Sequence, residues 1–218
     1  MSLIIPNRFL FKFEFQLNWC ATAPSIDGRL ENWDPSWRLP ALHQLDEEPG
    51  FAEVFATCDE DGLYIAARVS GKSRPPICDP ERFWKSDHVR VMTDMRDTRS
   101  IRRATRFCQH FHLLPTGGGR DGRAAIAGAD KVQRATEDAP LPKPGEIPIK
   151  STLSRGGYTL TAQLPGAILN GFDPIENPRI GLFVMVEDTE LGRQSITIGD
   201  ELNWFIDPST WPTAVLSK

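Results

Sequence analysis

A strict alternation of apolar and polar residues near the start of the chain constrains its fold more than any other feature. In FLFKFEFQLNW (residues 9–19), aromatic or leucine side chains occupy every second position, and from Lys12 to Asn18 polar side chains occupy the positions between them. Successive side chains of a strand point to opposite faces, so this pattern predicts a half-buried aromatic β-strand over residues 8–19.

Similar strand-like segments follow along most of the chain. FAEVFAT and GLYIAARVSG flank an acidic turn, which predicts a hairpin. DHVRVMTD and TRFCQHFHLL are expected to pair across a basic loop, and IPIKSTLS is expected to pair with YTLTAQLP across RGG. RIGLFVMVED (179–188) is a further predicted strand, and SITIGDELNWFID (195–207) is expected to supply the last one.

Two stretches interrupt this pattern, and one short segment suggests a helical turn. LLPTGGGRDGRAAIAGAD (113–130) and EDAPLPKPGEIP (137–148) are rich in Gly and Pro and are expected to be long loops. PGAILNGF (165–172) predicts a helical turn. Many strands with almost no helical periodicity predict an all-β fold: one antiparallel β-sandwich domain of two sheets, spanning residues 1–218.

Charge and hydropathy narrow the function classes. The 218 residues carry a net charge of −4, so no electrostatic footprint for nucleic acid is present. No run of about 18 apolar residues predicts a membrane span. The first residues lack the pattern of a signal peptide, which by itself predicts a cytoplasmic chain.

The four cysteines do not form a recognised metal or redox motif. Cys20, Cys58, Cys78 and Cys108 contain no C-x-x-C pair, which excludes a zinc ribbon and a thioredoxin-type motif. Three of them (all except Cys78) lie in or beside apolar strand runs. We expect those three to be reduced and to behave as small hydrophobic residues.

Six blocks of the sequence together resemble one known family. They are IDGRLENWDPSW (26–37), CDEDGLYIAARVSG (58–71), FWKSDHVRVMTD (83–94), GGYTLTAQLPGAIL (156–169), RIGLFVMVEDTE (179–190) and DPSTWPTAVL (207–216). In this order, from Ile26 to Leu216, they resemble the blocks of family 9 carbohydrate-binding modules, a group of DOMON-like β-sandwiches.

The resemblance implies a β-sandwich that binds carbohydrate, often with a structural calcium ion, and that is usually exported and attached to an enzyme. The chain departs from the family in its extra N-terminal strand and in RATRFCQHFHLLPTGGG (103–119), which matches no family block. A fold does not fix a function, so the site has to be argued from its residues.

Aromatic rings and nearby polar groups are the expected parts of a sugar site. Pyranose rings stack their C–H faces on flat aromatic side chains, while their hydroxyls need a few placed hydrogen-bonding groups. The predicted ligand-binding residues are Trp37, Trp84, Trp204, Asp87, Arg90 and Asn203. The other three tryptophans, Trp19, Trp33 and Trp211, are expected to pack in the fold.

Three histidines form a rival candidate site. His88 shares one strand face with Arg90, and His110 shares a face with His112 on the strand predicted to pair with it. Two histidines at i and i+2 with a third from a neighbouring strand suit a zinc-type site. With water as a fourth ligand, such a site predicts a small metal-dependent or carbohydrate-active enzyme.

Calcium is a further possibility, because acidic residues cluster at residues 59–62, at Asp94 and Asp97, and at residues 187–190. No G-x-S-x-G elbow or P-loop is present. The sequence therefore favours a non-catalytic glycan-binding module. The two alternatives are the enzyme with the histidine face and a structural or protein-interaction module without a small ligand, and the oligomeric state is not predicted.

Overall fold

The alternating run near the N-terminus forms the first strand of the fold. The computed structural model describes residues 13–41, 49–196 and 203–218, in which strand β1 is Glu14–Asn18. Phe15 and Leu17 turn towards the core, and Glu14 and Gln16 are exposed, as the alternation predicts. The first part of the predicted strand, residues 8–12, lies outside the described residues.

The described residues contain eleven strands and four short 3-10 helices. The later strands are β2 (Ala52–Asp59), β3 (Gly62–Ser70), β4 (His88–Asp94), β5 (Cys108–Gly118), β6 (Ala124–Asp130), β7 (Ile149–Ser154), β8 (Gly157–Pro165), β9 (Arg179–Asp188), β10 (Gly192–Ser195) and β11 (Thr213–Ser217). The 3-10 helices are Pro35–Trp37, Pro80–Lys85, Gly166–Ile168 and Pro208–Thr210. None of the helices in this part of the chain is long or apolar enough to cross a membrane.

The strands form the two sheets of a β-sandwich, which confirms the predicted fold class. The larger sheet has the order β1-β11-β9-β4-β5-β6, and β10 is added beside β9; the smaller sheet has the order β2-β3-β8-β7. All pairs are antiparallel except β1 with β11, which run parallel. The predicted hairpins β2–β3, β4–β5 and β7–β8 are all present.

The core lies between the two sheets. Val89 and Val91 of β4 pack there with Leu160 of β8, and all three are fully buried. Cys58 and Cys108 are reduced members of the same cluster, and burial raises the pKa of each thiol to about 12. These two cysteines therefore behave as small hydrophobic residues, as predicted.

Two local predictions are wrong. Residues 113–130 are not a long loop, because β5 continues to Gly118 and pairs with β6, an edge strand of small residues. Pairing there depends on backbone hydrogen bonds, so its Gly-rich and Ala-rich composition resembles that of a loop. The last strand is β11 and not residues 195–207: β10 ends at Ser195, residues 203–207 form a turn, and residues 197–202 lie outside the described part.

Candidate functional site

The outer face of the larger sheet carries the polar side chains of β4 and β5. The predicted pairing of these strands is confirmed, with Met92 opposite His110 and Arg90 opposite His112. Directly opposed residues of an antiparallel pair lie on the same face, so these four side chains and that of His88 share one face. The opposite face of both strands is turned to the core.

Phe83, in the 3-10 helix Pro80–Lys85, covers this face. Its ring stacks on the ring of His112, with centroids 4.1 Å apart and planes 7° from parallel. It also meets His88 and His110 edge-on, at 5.5 and 5.8 Å. Phe83 therefore fixes the histidine rings in one arrangement.

Arg90 lies between two aromatic rings. Its guanidinium carbon is 5.3 Å from the centre of the Phe83 ring and 5.0 Å from that of Trp204. Its Nη2 lies 3.3 Å from Nε2 of His88, while Nδ1 of His88 lies 2.8 Å from the carbonyl oxygen of Ser86. Burial lowers the pKa of His88 to about 3, which keeps its ring neutral and able to accept from Arg90.

His110 contributes a polar atom without a partner. The residue is 8% exposed, and its Nε2 makes no hydrogen bond with the described residues. Burial, together with the nearby Arg90 guanidinium, lowers the pKa of this histidine to about 3. An unpaired ring nitrogen on a neutral histidine is available to a ligand hydroxyl, since hydroxyls both donate and accept hydrogen bonds.

These side chains border a groove of about 440 Å³. Its walls are Phe83, Trp84, Arg90, His110, Asp130, Lys131, Gln133, Leu141 and Phe205. The ring of Trp84 forms the outer edge: the residue is 52% exposed and stands edge-on to Phe83, 5.5 Å away. The groove thus combines apolar walls with a small number of fixed polar groups, which is typical of a ligand pocket.

The predicted sugar-binding residues fall in different places. Trp84 and Arg90 line the groove. Trp204 is 4% exposed, stacks on Phe183 at 5.0 Å, and supports Arg90 from behind. Asn203, the neighbour of Trp204, is exposed in a turn with φ of 54°. Trp37 is half-buried and lies in a different concavity, described below.

Asp87 lies in a buried charge network and does not line the groove. Its Oδ2 accepts from Lys72 Nζ at 2.9 Å, and both carboxylate oxygens of Asp188 contact the same ammonium at 2.6 and 2.7 Å. Backbone N–H groups of Ile77 and Thr189 also donate to Asp87. The side chains of Lys72, Asp87 and Asp188 are at most 1% exposed, so this network joins the segment after β3 to the start of β4 and the end of β9 inside the protein.

The three histidines share a face, but the structure does not bring them together as metal ligands. Residues 13–41, 49–196 and 203–218 contain no group of three or more His, Cys, Asp or Glu placed to hold a metal ion. Nδ1 of His112 lies 3.2 Å from Oδ2 of Asp130, without the alignment of a hydrogen bond, and lowers the pKa of that carboxyl. The predicted transition-metal site has no support in this geometry and stays an untested prediction.

The acidic residues predicted as calcium ligands accept hydrogen bonds from other groups of the protein. Asp59 accepts from the hydroxyl of Tyr64 at 2.9 Å, and Asp94 accepts from the backbone N–H groups of Arg96 and Thr98. Asp188 binds Lys72 as described above. The calcium ion also stays a prediction.

Several residues of the groove are not among the site residues predicted from the sequence. Phe83 and Phe205 are the immediate neighbours of Trp84 and Trp204, so the aromatic pairs FW and WF were the available signal. Lys131, Gln133 and Leu141 come from the segment after β6, which carries no motif. They reach the groove only because β6 pairs with β5.

No model of a known protein family matches the sequence, and no curated protein matches it either. Solved structures do match. A family 9 carbohydrate-binding module from Caldicellulosiruptor kristjanssonii in complex with cellotriose has a TM-score of 0.61 and 16% identity, with 94% of this chain and 93% of that chain covered. A structure of a family 9 module from the same organism, in complex with glucose, has a TM-score of 0.63 and 16% identity, with 94% of this chain and 95% of that chain covered.

The chain has the fold of family 9 carbohydrate-binding modules. The predicted family resemblance is therefore confirmed at the level of the fold. At 16% identity the likeness does not extend to the ligand, which has to be argued from the groove of this chain.

Proposed function

We propose that the chain is a non-catalytic carbohydrate-binding module and that the groove beside Trp84 holds the sugar. The observation that carries this proposal is a half-exposed tryptophan at the mouth of a groove whose floor has fixed polar groups. The two structures of the same fold described above contain cellotriose and glucose. That likeness supports a neutral sugar as the first ligand class to test.

Each part of the groove matches a part of a sugar. The flat ring of Trp84 offers a stacking surface for the C–H face of a pyranose, with Leu141 and Phe205 as further apolar contacts. Arg90 donates hydrogen bonds, and neutral His110 offers a ring nitrogen without a partner. Burial and stacking hold Arg90 and His110 in place before the ligand arrives, which reduces the entropy lost on binding.

Replacing Trp84 with alanine tests the proposal directly. Loss of a central aromatic contact typically weakens binding by about 2 kcal/mol or more, so we expect a loss of about 30-fold or more in affinity. Isothermal titration with cellotriose and glucose, preceded by a glycan array, measures this. Leu153→Ala is the matched control, because Leu153 is a similarly exposed apolar residue, at 45% against 52% for Trp84, on β7 of the other sheet.

Equal affinities for the wild-type protein and Trp84→Ala would contradict the proposed groove. A wild-type protein that binds nothing on the array would contradict the carbohydrate function as a whole. Trp84→Phe is expected to keep part of the affinity, because it retains a flat ring of smaller area.

A substitution under the groove should weaken binding without touching the ligand. Gly128 of β6 lies opposite His112, and a Cβ atom there would be 2.3 Å from Nε2 of that ring. The His112 ring cannot move away from that Cβ atom, because the Phe83 ring stacks on it. Gly128→Ala is expected to lose about 1 to 3 kcal/mol of stability, as overpacking does, and to weaken sugar binding about tenfold.

Urea unfolding and titration of the same protein samples measure both effects of Gly128→Ala. Ala124→Ser, at the exposed start of β6, is the control and should change neither quantity. A Gly128→Ala protein with wild-type affinity would show that the His112–Phe83 stack does not position the groove.

A further inference from the structure

The chain has a second concave surface, which we call the tryptophan cleft. It measures about 860 Å³ and lies between the end of β1 and the segment 21–37, with Trp19, Trp33 and Trp37 in its walls. It shares no lining residue with the groove at Trp84. In the larger sheet β11 and β9 separate β1 from β4, so about 14 Å of sheet lies between those strands.

The aromatic walls of the cleft meet at a corner. The rings of Trp33 and Trp37 are 6.1 Å apart and 81° from parallel, so they meet edge to face. Trp19 and Trp37 are half-buried, and Trp33 is 5% exposed. The partly exposed indole rings of Trp19 and Trp37 suit the apolar C–H faces of pyranose rings.

Some of the polar side chains of the cleft are held in place by hydrogen bonds. Nδ2 of Asn18 donates to the carbonyl oxygen of Ser36 at 2.9 Å, and Nδ2 of Asn32 donates to Oγ of Ser25 at 3.1 Å. All four residues line the cleft. Each bond fixes an amide or a hydroxyl in one orientation, so the cleft has a preorganised polar pattern.

Trp33 supplies an independent indication of a ligand. Its Nε1 is buried and donates no hydrogen bond within the described residues. A buried donor without an acceptor is unfavourable by about 1 to 3 kcal/mol and is uncommon in folded proteins. A hydroxyl oxygen bound in the cleft is the kind of acceptor that such a donor requires.

We propose that the tryptophan cleft is a second carbohydrate-binding site, specific for neutral oligosaccharides. The carboxylates of Glu31 and Asp34 line the cleft and disfavour the negative charge of a uronic acid. The ammonium of Lys218 lies 4.7 Å from the centre of the Trp19 ring and 3.9 Å from Oε1 of Glu60, which offsets its charge. The inference rests on the proposed function only for the class of ligand.

Two sites on one chain would change how the protein binds a polysaccharide. Once the first site is occupied, binding at the second becomes intramolecular, and the overall affinity exceeds that of either site. A polymer that reaches both sites is therefore held more tightly than a trisaccharide that fills only one of them.

The six tryptophan indole N–H groups allow each site to be followed separately. Their NMR resonances, assigned from single Trp→Phe variants, are recorded while cellotriose, xylotriose or mannotriose is added to the full chain. We expect the Trp33 and Trp37 resonances to shift with their own dissociation constant and to do so equally in Trp84→Ala. Trp37→Ala should weaken this second event about tenfold or more, and Trp33→Phe should weaken it several-fold.

Shifts at Trp33 and Trp37 that disappear in Trp84→Ala would overturn the inference and leave the proposed function intact. The same holds if Trp84 responds and the cleft resonances stay still at millimolar sugar. A response at the cleft without one at Trp84 would support the second site and contradict the groove. If none of the three trisaccharides moves any cleft resonance, the second site is wrong. The wild-type titration decides the question even if Trp37→Ala fails to fold.

Discussion

Replacing Lys72 with methionine is expected to lower the free energy of unfolding by about 3 to 5 kcal/mol. Lys72 is the cation that faces both Asp87 and Asp188, whose side chains are fully buried. Methionine fills much of the same volume but leaves two carboxylates without their cation in a region of low dielectric constant. Urea denaturation followed by tryptophan fluorescence at neutral pH measures the loss.

Two further variants show whether the loss of stability comes from the unpaired buried carboxylates or from lost packing. Lys72→Met with Asp188→Asn removes one of the two carboxylate charges and should recover part of the stability. Arg68→Ala, which breaks an ion pair to Glu53 with side chains 49% and 34% exposed, should change the stability by about 1 kcal/mol or less. A Lys72→Met protein within about 1 kcal/mol of wild type would contradict the stabilising role of this network.

Replacing Trp211 with alanine is expected to lower the stability by about 3 to 5 kcal/mol and also to weaken sugar binding. Trp211 is 0% exposed, and its Nε1 donates to the carbonyl oxygen of Trp204 at 2.7 Å. Removing it leaves a large cavity and releases the segment that places Trp204 behind Arg90 and Phe205 in the groove wall. Unfolding by urea and titration with cellotriose report the two effects.

Trp84→Ala is the matched control, because it removes the same side chain from a half-exposed position. It should change the stability by about 0.5 kcal/mol or less while abolishing most of the binding. Trp211→Phe keeps most of the buried volume and loses the hydrogen bond to Trp204. If Trp211→Phe binds sugar as the wild-type protein does, that hydrogen bond does not position the groove.

The fold was predictable from sequence wherever side chains alternate. Val89 and Val91 alternate with His88 and Arg90, and this period of two predicted the strand and the side that faces the core, although His88 and Arg90 are buried as well. β6 was missed because Gly128 and its alanine neighbours carry almost no hydrophobic signal. Its position is set by pairing with β5, and a single sequence does not display such long-range pairing.

The candidate site was predictable only in part, for a related reason. Trp84 and Arg90 stand in a recognisable block and were identified as ligand-binding residues. Asp87 stands in the same block, yet its partner Lys72 lies 15 residues away and Asp188 lies 101 residues away. Spacing along the chain therefore did not distinguish a carboxylate for a ligand from a carboxylate for an internal ion pair.

The parallel pairing of β1 with β11 has a consequence for folding during synthesis. Asn18 and Ser217 meet across that pair although they are 199 residues apart. The smaller sheet, from Ala52 to Pro165, is complete on a ribosome well before β11 emerges. Until β11 emerges, β1 lacks its pairing partner, and a strand with unpaired backbone groups is prone to pair with strands of other chains. Closing so long a loop also predicts slow folding, so the N-terminal strand is the segment that most needs protection in the nascent protein.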